Sequence, residues 1–309
     1  MATLAALPVK DVGGQISELL RPANEMTVSE KLQLLDKLKG WLDSFRPFPP
    51  AVVRELKRFY DVKFTYHSNA IEGNTLTQSE TEIVLEKGIT IGGKTLIEHL
   101  EAIGHKEAID YIEELTQQDA PVSEREIRDL HSLIMRGIDR AEAGRYRRLD
   151  VKAAGTEYAY PPHYQLQELM GSFVEWLNSE VAQGLHPIVY AAQAHYRFVS
   201  IHPFRDGNGR VGRLLMNLIL LRRGYPIAVI TNERRKEYID VLIFAQQHQD
   251  DISGLVSMVA DASRESIIEY LRVLSTAEES KGKGLPFYQE MLAMLKEQRE
   301  AGDNRPLTG

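Results

Sequence analysis

The sequence predicts an all-α protein with one small β-hairpin. Apolar residues recur at helical spacing through most of its 309 residues. Several such stretches open on a capping box, Thr27-Val-Ser-Glu30, Thr77-Gln-Ser-Glu80 and Ser123-Glu-Arg-Glu126. In each, a hydroxyl and a carboxylate three residues on satisfy each other's free backbone N–H groups. Residues 145–162 are the exception. There Val151, Tyr158 and Tyr160 lie among Gly144, Gly155, Pro161 and Pro162, a composition suited to a short hairpin or a surface loop.

In chain order, residues 1–25 mix Pro8, Gly13, Gly14 and Pro22 with short apolar pieces and read as an irregular arm. A helix follows from the Thr27 box to about Trp41; Pro47, Pro49 and Pro50 break the chain, and a second helix runs from Val52 to about Ile71. It ends in Ser68-Asn-Ala-Ile-Glu72-Gly73-Asn-Thr75, where Gly73 and Asn74 suit a helix stop. A carboxylate in the last turn, Glu72, opposes the helix macrodipole and calls for a positive partner from elsewhere. Further helices are expected from the Thr77 box to Lys87, from Leu96 to Leu115, from the Ser123 box to about Ile138, and from Leu166 to Glu180 with Trp176 on its apolar face. Ile188 to Val199 then leads into a loop. After the stop at Gly224-Tyr-Pro226 come a helix carrying Tyr238 and Gln246 and a long one from Ile252 to Leu274. The tail holds one amphipathic stretch, Tyr288 to Lys296.

The chemistry concentrates in residues 201–213, Ile-His202-Pro-Phe204-Arg-Asp206-Gly207-Asn208-Gly209-Arg210-Val-Gly-Arg213. Gly207, Asn208 and Gly209 disfavour a regular element, whereas Leu214 to Leu221 is apolar on nearly every face and forms a buried helix. A glycine-rich turn feeding a helix start presents free N–H groups and the positive end of the macrodipole, an anion site. Arg210 and Arg213, three apart, project from one face of the first turn. Asp206 supplies a hard oxygen ligand of the kind Mg²⁺ uses when it bridges phosphates. His202, with an unperturbed pKa near neutrality, suits a general base.

The net charge of −7 and the pI near 5.8 argue against a nucleic-acid footprint, which needs clustered Lys and Arg. Cysteine is absent, so disulfides and thiolate metal sites are excluded. No basic leader precedes a long apolar run, and nowhere do roughly 18 apolar residues stand together. The expectation is a soluble, cytoplasmic protein with no membrane partner. His195, seven residues before His202, lacks an evident set of co-ligands and reads as a packed structural residue.

The 202–213 stretch closely resembles the Fic family signature, His-x-Phe-x-Asp/Glu-Gly-Asn-Gly-Arg-x-x-Arg, and matches it at every defined position. Ser68 to Gly73 resembles the family's inhibitory motif, Ser/Thr-x-x-x-Glu-Gly/Asn, placed as in the subclass with an N-terminal inhibitory helix. The resemblance covers about residues 64–265. It implies a helical N-terminal region over 1–63, a Fic core over 64–275 and a tail over 276–309.

By that resemblance the protein is an adenylyltransferase that moves AMP from ATP to a Ser, Thr or Tyr hydroxyl of a target protein. His202 would deprotonate the hydroxyl and Asp206 would hold Mg²⁺. Gly207 to Gly209, with the Asn208 side chain, would cradle the α- and β-phosphates, Arg210 would contact the β-phosphate side and Arg213 the γ-phosphate. Phe204 is expected as a core anchor. Glu72 would pair with Arg213 and obstruct the γ-phosphate, with Ser68 at the motif's hydroxyl position and Gly73 closing it. Residues Val151 to Tyr160 would form the flap that docks the target segment, with Thr156 and Tyr158 near its tip. Tyr238 is either an adenine-side contact or a core tyrosine; Pro226-Ile227 departs from the family's frequent Pro-Pro, which bears on the base pocket. Self-modification and a homodimer are compatible with this reading. Its alternatives are a phosphodiesterase that removes AMP through Glu72 and His202, and a non-catalytic nucleotide-binding regulator.

Overall fold

A computed structural model describes residues 25–118, 120–152 and 158–293. Most of the arm expected over 1–25, position 156 in the hairpin, and the end of the Tyr288–Lys296 stretch lie outside the described residues. The helices are α1 (Val28–Asp43), α2 (Pro50–Ile71), α3 (Gln78–Lys87), α4 (Leu96–Thr116), α5 (Glu124–Met135), α6 (Leu166–Leu177), α7 (Glu180–Gln183), α8 (Pro187–Ile201), α9 (Asn208–Arg222), α10 (Arg235–Gln247) and α11 (Ser253–Thr276).

The three expected capping boxes form at Thr27, Thr77 and Ser123, and Thr95 with Glu98 makes a fourth at the start of α4. The helix expected to run to Ile138 stops at Met135, two residues before Gly137. The one expected to reach Glu180 divides at Asn178, whose Nδ2 donates to the carbonyls of Val174 and Val122; Ser179 then caps α7. No helix among the described residues is long and apolar enough to cross a membrane.

Two compact units are formed, one within Met1–Lys57 and Ser263–Gly309, the other spanning Arg58–Ala262. In the first, Trp41 and Phe45 of the α1 end pack on Phe287, with ring centroids 5.4 and 5.7 Å apart. In the second, α9 is the central element. Its residues from Arg210 to Leu220 are all buried, and it packs against α8, α4 and α5. That burial follows from the apolar run read in the sequence. Asn217, a buried polar residue within it, is satisfied by exchanging hydrogen bonds with the main chain of Ala228 at 2.8 and 3.0 Å, which ties residues 227–231 alongside. Gly104 sets the approach of α4 to α5, since a Cβ there would lie 2.7 Å from the Leu133 carbonyl.

Of the expected hairpin, the described residues show a single antiparallel bridge between Lys152 and Ala159, and no strand is present among them. Arg147, buried beside the bridge, donates through its guanidinium to the carbonyls of Leu149 (3.0 Å) and Pro161 (2.5 Å).

Candidate active site

The loop begins where α8 ends. His202 caps that helix in the left-handed region (φ 52°), its N–H bonded to the Phe198 carbonyl, a conformation that His adopts more readily than most residues. Its carbonyl accepts from Arg147 Nε at 2.8 Å, and its ring stacks on Tyr160 with centroids 4.1 Å apart. Burial lowers the ring's pKa to about 4, so it is neutral at pH 7 and able to accept a proton.

Three residues fix the backbone beyond it. Phe204 is wholly buried and lies parallel to the His131 ring at 3.7 Å. His131 Nδ1 accepts the Gly144 N–H at 2.9 Å, which leaves Nε2 to donate to the Asp206 carbonyl at 3.0 Å. That pattern needs a neutral ring, and burial keeps it so by lowering its pKa to about 4. Asn208 folds back on the loop, Oδ1 accepting from the Phe204 N–H (2.9 Å) and Nδ2 donating to the Phe204 carbonyl (2.8 Å). Gly207, at φ 77°, is the turn residue, and a Cβ there would press on Ile134 and His131.

The start of α9 has no side-chain cap, so its first N–H groups are left to other partners. The Glu72 carboxylate lies over this point: a Cβ added to Gly209 would overlap its Oε1. The same oxygen accepts from Arg213 Nη2 at 2.7 Å. Arg213 is 1% exposed and fully engaged, Nε on Ser68 Oγ (3.0 Å), Nη2 also on the Ser68 carbonyl (2.8 Å) and Nη1 on Tyr238 Oη (3.3 Å). Arg210, equally buried, reaches Glu101 at 3.1 Å, and the other Glu101 oxygen accepts from Asn74 Nδ2 at 2.8 Å. The C-terminal end of α2 is held from outside by Arg235 Nε on the Ile71 carbonyl (2.6 Å) and by His67, which accepts the Asn232 N–H (3.1 Å). The arrangement is an anion site at a helix start, backed by two arginines, with a carboxylate from another helix seated in it.

Residues 121–220 match the model of the Fic/DOC family. A protein from Drosophila persimilis named protein adenylyltransferase Fic is 36% identical over 273 residues, 88% of this chain and 51% of its own length. The chain thus spans about half the length of the curated relatives it matches. Among solved structures, residues 134–508 of Fic-1 from C. elegans superpose with a TM-score of 0.73 at 34% identity, over 81% of this chain and 73% of that one. A Fic domain containing signaling protein from Bacteroides thetaiotaomicron gives 0.73 at 30% identity, over 77% of this chain and 97% of its own. The chain belongs to the Fic/DOC family.

Within this Fic core the structure gathers His202, Asp206 to Gly209, Arg210, Arg213, Ser68 and Glu72 at one place, from two helices and a loop. Gly73, just past Glu72, turns the chain at φ 104°. Both ends of the Asn208 amide are engaged by Phe204, so its side chain clasps the loop. Of the two roles left open for Tyr238, the structure gives the buried one. It is 2% exposed, with its hydroxyl shared between Arg213 and His195 Nε2 at 2.7 Å. Val151 and Tyr158 lie on the two arms joined by the single bridge, with Thr156 outside the described residues. A cavity of about 380 Å³ between α6, α8 and Tyr158 touches Ser200 and Ile201 but none of residues 202–213.

Sequence reading of the Fic core missed His131, Arg147 and Glu101, and it named Tyr160 only as the end of the flap. His131 alone left a local trace, a histidine on the apolar face of α5.

Proposed function

We propose that this chain transfers AMP from ATP to a Ser, Thr or Tyr hydroxyl of a target protein, and that Glu72 holds the reaction back. The observation that carries the reading is the Glu72 carboxylate over Gly209 and on Arg213, the position a terminal phosphate needs. The names of the curated relatives support the activity. In the reaction the acceptor oxygen attacks the α-phosphorus, its proton passes to His202, and the bond to the β-phosphate breaks to release pyrophosphate. The His202 ring enters unprotonated, as a base must; such bases contribute about 10²–10⁴-fold. The α9 start and Arg210 face the negative charge that develops on the phosphates.

Mg²⁺ fits the residues present. No group of three or more metal-ligating side chains forms among the described residues, so an all-protein cage is not offered. Mg²⁺ is commonly held by one carboxylate with substrate phosphates and water, and the Asp206 side chain is 68% exposed beside the α9 start. Bound with ATP, it would neutralise phosphate charge.

The test incubates wild type, Glu72→Gly and Glu72→Gly/His202→Ala with Mg²⁺ and α-phosphate-labelled ATP, reading label on the protein itself and on an added cell lysate. Label mainly with Glu72→Gly, lost without His202, supports the proposal. ATP binding with no label in any lane would leave a non-catalytic regulator in its place.

A further inference from the structure

The transfer reading does not say what kind of polypeptide presents the hydroxyl, and the surface beside His202 bears on that. Residues 144–149 run along the catalytic loop: the Arg147 N–H donates to the Pro203 carbonyl at 3.0 Å, Arg147 Nε to that of His202, and Gly144 is tied through His131 to Asp206. Arg147 points inward and is buried, whereas Arg145 and Arg148, on either side of it, are exposed. Arg205, within the loop three residues after His202, is exposed as well, and so is Lys152 at the bridge pair.

None of these four cations has a salt-bridge partner among the described residues, while Arg58, Arg136, Arg210, Arg213 and Arg234 all do. Two nearby carboxylates are engaged elsewhere. Asp150 accepts from the His163 N–H and ring at 2.8 and 3.0 Å, and Asp206 Oδ1 accepts the Gly207 N–H at 2.5 Å. A chain with net charge −7 therefore gathers unpaired positive charge at the mouth of its site.

We infer that this rim docks an acidic segment of the target polypeptide, with Asp, Glu or phosphorylated residues flanking the acceptor hydroxyl. The inference rests on the transfer reading above. An extended acceptor advances about 3.3 Å per residue, so acidic side chains within about three positions of the hydroxyl lie within about 10 Å of it along the chain. Exposed charges of this kind act on encounter and register and weaken with salt.

The test uses the Glu72→Gly protein with Mg²⁺ and labelled ATP, and two synthetic acceptors, a random Glu/Tyr copolymer and a random Lys/Tyr copolymer. The expected result is roughly tenfold preference for the acidic polymer, reduced by added salt. Adding Arg145→Glu/Arg148→Glu should abolish that preference while the KM for ATP and the thermal midpoint stay unchanged. Equal labelling of both polymers, or a preference untouched by the double reversal, would overturn the inference. So would a raised KM for ATP with the acceptor preference intact, because the rim would then serve the nucleotide's own phosphates. If neither polymer nor the chain itself is labelled, the transfer reading has failed, and fluorescence anisotropy of the acidic polymer on the ATP-loaded protein decides the rim separately. Binding lost in the double reversal supports it; no binding overturns it.

Discussion

Glu72 and Arg213, 141 residues apart in sequence, meet at 2.7 Å above the first turn of α9. The carboxylate binds the guanidinium and lies against Gly209 in that turn, so one side chain stands before both the arginine and the helix start.

Removing that carboxylate should open the site. Glu72→Gly is expected to raise label transfer more than tenfold, the factor that about 1.4 kcal/mol of restored phosphate contact supplies. Ser68→Ala removes only the acceptor for Arg213 Nε and should raise transfer less. Initial rates of the two variants, measured side by side, check the order.

The same change should cost stability. Arg213 stays buried without its counter-ion, at a penalty of ~1–3 kcal/mol, moderated because Glu72 is 36% exposed and Ser68 and Tyr238 remain bonded. Thermal unfolding of Glu72→Gly should therefore begin lower than wild type and recover more on adding ATP and Mg²⁺.

The pH profile should betray the buried base. With the His202 pKa at about 4, Glu72→Gly should transfer label as fast at pH 6 as at pH 7.5. A histidine left at the usual 6.5 would lose about three quarters of its rate over that interval. Rates at the two pH values separate these outcomes.

Stability should follow a second histidine. His195 is fully buried, its pKa lowered to about 4 by desolvation, so below pH 6.5 the unfolded chain takes up a proton that the folded one refuses. Its effect is absent above pH 6.5 and grows as a loss of stability down to about pH 4. Denaturant midpoints across that window should fall, and less steeply in His195→Gln.

Asn208→Ala tests the clasp. It strands the Phe204 N–H and carbonyl, which should cost ~1–3 kcal/mol and lower transfer by loosening the loop. Parallel measurement of the unfolding free energy and of the KM for ATP separates a loop defect from lost nucleotide contact.

What the sequence made legible was what acts locally. Capping boxes close within three residues, and the Gly207 turn and the apolar α9 run declare themselves in a short window. Glu72 was legible only through its resemblance to a motif, because its partner lies far along the chain. Arg147 and Glu101 act across 55 and 109 residues, and nothing in their own neighbourhoods marks them; His131, acting across 75, left only its place on an apolar helix face. Arg147 in particular sits in a run of arginines whose other members face solvent, so its burial could not be read from composition. The hairpin's aromatic and glycine pattern suits strands, and of it the described residues show one bridge, Lys152 to Ala159.

Arg147 also carries a consequence for how such an enzyme changes. One guanidinium holds the carbonyl of His202 and those of Leu149 and Pro161 beside it. Substitutions that reshape the arms to admit a new acceptor pull on the same hub that orients His202. On the transfer reading proposed above, selectivity and turnover are mechanically joined here, and a lineage altering one drags the other unless the hub is first rebuilt.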